Sequence, residues 1–129
     1  MEFEVSALIP ATPDEIFDAW LDSQGHTEMT GSAAKAGPEP GAGFEAWGGY
    51  IRGRNLVIER PARIIQSWRT SHFDASDSDS QIEVLFEARR GGTQLTIRHT
   101  GLPADGSRYE TGWPTHYFEP MRSYFSRLK

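Results

Sequence analysis

A chain of 129 residues, 37% hydrophobic, 12% aromatic and 24% charged, has the size and composition of one globular domain, with no apolar run near the roughly 20 residues needed to cross a bilayer. The absence of cysteine excludes disulfide scaffolds, thiolate nucleophiles and the common structural zinc sites. A net charge of −5, with 13 Lys and Arg scattered along the chain, argues against nucleic-acid binding, which rests on a dense basic patch.

The first residues, Met1-Glu2-Phe3-Glu4-Val5, have neither a basic start nor an apolar core of the kind a secretory signal carries, so a cytoplasmic location is expected. Phe3, Val5, Ala7 and Ile9 alternate with Glu2, Glu4, Ser6 and Leu8, the period of a strand with one face mostly wet. Thr12-Pro13-Asp14-Glu15 supplies an N-cap, a proline at the first helical position and the reciprocal glutamate of a capping box, so a helix starts there. Ile16, Phe17, Trp20 and Leu21 give it one narrow apolar face. A short second helix is predicted over residues 24–29.

From Gly31 to Gly49 the chain is rich in Gly, Ala and Pro, with a turn cluster at Gly37-Pro38-Glu39-Pro40-Gly41 between two short, weak strands. Clearer strands follow at Tyr50 to Glu59, where Gly53 suggests a bulge, and at Arg63 to Thr70, across a hairpin at Arg60-Pro61-Ala62. After the polar, acidic stretch Ser71 to Ser80, Ile82, Val84, Phe86 and Ala88 alternate with Glu83, Leu85 and Glu87. Gly91-Gly92 then turns the chain into a strand on which Leu95, Ile97 and His99 share a face. Beyond Leu102-Pro103 the period changes. Trp113, Tyr117, Pro120, Met121, Tyr124, Phe125 and Leu128 fall on one arc of a helix that must lie on the sheet. The expected class is α+β, a single domain over residues 1–129 in which a curved antiparallel sheet of about six or seven strands wraps a long C-terminal helix.

Four stretches carry a family resemblance: Thr12 to Trp20, Trp47 to Arg54, Pro61 to Arg69 and Gly112 to Met121. On these the chain resembles the SRPBCC (START/Bet v 1-like) superfamily and, within it, the family named after the activator of Hsp90 ATPase. The resemblance implies a helix-grip fold and a chaperone- or stress-related setting. Its motifs are caps, a bulge and core aromatics, with no catalytic group among them.

Trp20, Trp47, Trp68, Phe86, Trp113, Tyr117 and Met121 fall on faces that point between sheet and helix, where they either fill the core or line a cavity for a small hydrophobic or aromatic ligand. His99 and Gln66 share those inward faces and offer polar contacts, or simply find partners within the core. His26 and His116 sit beside the aromatic stripes of their segments, where they either edge a cavity mouth or are ordinary surface residues. Arg52, Arg54 and Arg69 either hold a carboxylate together or form a solvated face paired with Glu59 or Glu83. The spacing of Asp74, Asp77 and Asp79 does not match a calcium loop, and the four histidines show no metal-binding spacing.

No cofactor, metal or catalytic set is therefore expected, and the leading reading is a ligand-binding protein. The alternatives are a cyclase- or isomerase-type enzyme using His99, and a chaperone-related or homodimeric interaction module using the apolar outer residues Val57, Ile65 and Leu85.

Overall fold

A computed structural model describes residues 1–128. Strand β1 (Phe3–Ile9) leads to helix α1 (Pro13–Trp20), whose start has the predicted chemistry: Thr12 Oγ1 accepts from the Glu15 amide and Glu15 Oε1 accepts from the Thr12 amide. Helix α2 (Ser23–Thr30) is capped by the Asp22 carboxylate, which accepts from the Gly25 amide at 2.8 Å, and ends on left-handed Gly31.

There follow β2 (Gly43–Ala46), β3 (Ile51–Glu59), β4 (Arg63–Thr70), β5 (Ser80–Arg89) and β6 (Gly92–Thr100). They form one six-stranded antiparallel sheet in the order β1-β6-β5-β4-β3-β2. Of the two weak strands expected between Gly31 and Gly49, β2 forms; the other is reduced to a single bridge between Lys35 and Glu45. The expected bulge at Gly53 is displaced, since the register of β3 against β4 slips between Asn55 and Val57. Gly53 is required for another reason. A Cβ there would sit 1.8 Å from the Ser67 carbonyl oxygen and 2.6 Å from the Phe44 ring, so only glycine lets the strands approach this closely.

The C-terminal helix comprises α3 (Arg108–Trp113), a π-helical turn (Pro114–Phe118) and α4 (Glu119–Arg127). Two prolines account for the turn. Pro114 and Pro120 lack the amide hydrogens that would bond the carbonyls four residues earlier, and the Glu119 amide bonds to the Pro114 carbonyl instead. Of the buried residues on this helix, Tyr109, Trp113, Tyr117, Met121 and Phe125 form a stripe with a repeat of four, and Phe118 is buried beside it. That period overshoots the α-helical repeat of about 3.6 residues, and the wider π turn brings the stripe back over the sheet.

The concave face of the sheet contributes Ile64, Ile82, Val84, Leu95 and Ile97 to one core, all at most 1% exposed. The outer face carries a chain of alternating charges, with Arg63 bonded to Glu59 and Glu83, and Arg98 bonded to Glu83 and Glu4. Val57, Ile65 and Leu85, nominated above as an exposed apolar patch, are half-buried among these ions. Arg69 instead clasps the 74–79 loop through the Asp79 carboxylate and the Asp74 and Asp77 carbonyls, while Arg54 reaches the Gly41 carbonyl.

Candidate functional site

At one end of the sheet, between β3, β4 and the C-terminal helix, a cleft of about 450 Å³ opens to the surface. Its wall is built from three directions. Ile51 comes from the start of β3 and Tyr50 from the turn just before it, Trp68 from β4, and Arg108, Tyr109, Gly112, Trp113, His116 and Tyr117 from successive turns of the helix. Trp47 closes the side from the turn between β2 and β3.

That turn is unusual: Trp47, Gly48 and Gly49 all adopt positive φ, at 54°, 68° and 93°. Glycine takes such angles freely, but for tryptophan they cost of the order of 1–2 kcal/mol. The strained indole stands edge-on to the His116 ring, 5.1 Å between centroids, and its Nε1–H is buried with no acceptor among the described residues.

The polar tips of Trp113, Tyr117 and Tyr109 are turned into the protein. Trp113 Nε1 donates to His99 Nδ1 at 3.1 Å. Because an indole nitrogen only donates, His99 Nδ1 must be the acceptor, and the ring proton sits on Nε2, which donates to Ser80 Oγ at 2.9 Å. Ser80 in turn donates to the Trp68 carbonyl. Protonation of His99 would break the first bond of this relay, and burial without a neighbouring carboxylate lowers its pKa to about 3.

A second histidine behaves alike. His26 Nδ1 lies 2.9 Å from the Trp20 carbonyl and Nε2 lies 2.7 Å from the Tyr117 hydroxyl, so Nδ1 donates and the phenol donates to Nε2. Burial lowers the pKa of His26, against a smaller opposing contribution from the Trp20 carbonyl, and raises that of Tyr117. The Tyr109 hydroxyl pairs with Thr70. The inner wall of the cleft is therefore made of ring faces and edges, with their heteroatoms already bonded.

Of the residues nominated from sequence, Trp47, Trp68, Trp113 and Tyr117 line this cleft, and Trp20, Gln66, Phe86, His99 and Met121 do not. The latter five are core residues, none more than 5% exposed. Trp20 stacks behind Trp113 and donates to Gln66 Oε1; Gln66 Nε2 donates to Asn55 Oδ1; and Asn55 Nδ2 donates to the carbonyls of Gly37 and Glu39. Gln66 thus has protein partners at both ends. Phe86 packs edge-to-face on Phe17, and Met121 is fully enclosed. His26, expected at the surface or at a cavity mouth, is buried, whereas His116 does stand at the cleft.

The sequence reading missed Tyr50, Arg108, Tyr109 and Gly112. It began the last helix at Trp113, and Tyr109, one turn earlier on the same stripe, was the available signal.

A family model described as Activator of Hsp90 ATPase homolog 1-like protein matches residues 10–126. A curated relative from Dictyostelium discoideum, named activator of 90 kDa heat shock protein ATPase homolog, is 26% identical over 117 residues, covering 89% of this chain. The match takes in only 30% of that relative's length. Among solved structures, an HSP90 activator from Plasmodium falciparum superposes with a TM-score of 0.85 at 24% identity, covering 95% of this chain and 94% of its own. A protein from Mesorhizobium loti gives 0.83 at 22% identity, covering 100% and 99%. These structural likenesses establish the fold.

Proposed function

Since this chain belongs to the Activator of Hsp90 ATPase homolog 1-like family, whose fold sets a sheet around a C-terminal helix, we propose that the space left between the two binds a small, predominantly apolar molecule. One observation carries this reading. The cleft of about 450 Å³ is walled by six Trp and Tyr side chains, and its size falls within the roughly 300–1,000 Å³ of small-molecule pockets. Bare rings whose heteroatoms at Trp113, Tyr117 and Tyr109 are bonded inward favour an apolar body, and the strained turn at Trp47 is a cost that a ligand contact would offset.

Gly112 offers the test. A Cβ built there meets only the His116 ring, at 3.9 Å, so a longer side chain has room to grow towards the cleft. Gly112→Leu should melt no lower than the wild type, because it replaces a helical glycine. It should also weaken binding of naphthalene-type compounds at least tenfold by calorimetry. A wild-type protein whose melting temperature responds to no member of a panel of lipids and aromatic compounds would remove the reading.

The enzyme alternative loses its named residue, since both nitrogens of His99 are committed within the core. Contact with an Hsp90-type chaperone is a second reading, supported by the names of the Dictyostelium and Plasmodium relatives. It predicts a faster ATPase rate for purified Hsp90 on addition of this protein; an unchanged rate at saturating concentration sets it aside.

A further inference from the structure

The cleft is apolar inside but its charge is one-sided. The chain has 18 acidic residues against 13 Lys and Arg, yet no carboxylate lines the cleft, and the charged side chain that does is Arg108. Its nearest carboxylate, Asp105, is 3.9 Å away, and both side chains are about half exposed or more, a separation at which little is gained. The guanidinium fork of Arg108 is therefore available for bidentate pairing.

Further along the helix, His116 and the Trp47 indole stand edge to face at another point of the cleft wall. Eight residues of helix separate Arg108 from His116, about 12 Å along the axis. Between Arg108 and this pair lie Tyr109, Trp113 and Trp68, rings in mutual contact that offer one continuous aromatic surface.

From this arrangement we infer that the occupant of the cleft is a planar aromatic anion of two or more fused rings, lying along the C-terminal helix. Its carboxylate pairs with Arg108, and its far end lies against the edge-to-face pair of Trp47 and His116. The inference rests on the small-molecule reading above and adds the ligand's charge and orientation. A neutral ligand would leave the fork of Arg108 unused. A cation would meet no compensating charge in the wall.

A matched pair of probes, 6-hydroxy-2-naphthoate and 6-hydroxy-2-naphthamide, isolates the charge at nearly constant shape. In calorimetric titrations the carboxylate should bind at least tenfold more tightly than the amide, and the preference should shrink as salt is raised. Arg108→Gln should bring the carboxylate down to the level of the amide. In proton–nitrogen correlation spectra, the indole N–H signal of Trp47 should shift as a ring current of the probe comes to lie beside its indole. An amide that binds as well as the carboxylate overturns the inference but leaves the small-molecule reading standing, as does failure of both probes where neutral apolar compounds bind. If nothing binds at all, both fall.

Discussion

Acidification from pH 7 to pH 4 should destabilise the fold by roughly 3 kcal/mol through His99 alone, at about 1.4 kcal/mol per pH unit. An unfolded chain protonates this imidazole near its ordinary value of about 6.5, whereas the folded protein resists protonation down to about pH 3. Below pH 6.5 the unfolded state therefore holds more protons than the native state, and stability falls with pH until the native ring titrates as well. His26, also lowered by burial, adds a contribution of the same sign.

Urea denaturation at pH 7, 5.5 and 4 reads the slope directly. His99→Gln is the informative control, because its amide can accept from Trp113 and donate to Ser80 but cannot be charged. The variant's stability should depend less on pH across this window, and an unchanged slope would show that the acid sensitivity arises elsewhere.

Replacing Asn55 by alanine should cost about 3 kcal/mol, the summed penalty for stranding a buried amide and freeing two carbonyls. Asn55 is 1% exposed and stands at the middle of the directed chain from Trp20 through Gln66 to the carbonyls of Gly37 and Glu39. Asn55→Asp is the sharper variant. It keeps the acceptor for Gln66 but turns a carboxylate towards two carbonyl oxygens, so it should be at least as unstable as Asn55→Ala. A loss below about 1 kcal/mol in chemical denaturation of either variant would mean that water replaces the network.

These two networks also show where sequence reasoning stops. The alternation in β4, β5 and β6 and the capping box at Thr12 made the sheet and α1 legible, because those signals are local. Inward orientation was equally legible for Gln66 and His99, but their partners lie 46, 11, 19 and 14 residues away. Whether an inward polar group faces a hollow or another side chain depends on where the helix comes to rest.

The same holds for Trp20, Phe86 and Met121, assigned to a binding surface on face alone. The residue that fixes the helix position left a trace in the sequence: Pro114 and Pro120, six apart inside an otherwise helical pattern, mark the break that becomes the π turn. The strain at Trp47 left a weaker one, in the two glycines that follow it.

The aromatic wall has an optical consequence. Of the four tryptophans, three are neighbours, with Trp113 at 6.3 Å from Trp20 and 5.7 Å from Trp68. Chromophores this close share their excited states, so the circular dichroism of the folded chain contains an exciton couplet from indoles superimposed on the signal of its helices and strands. Light absorbed anywhere in that triad belongs to all three rings.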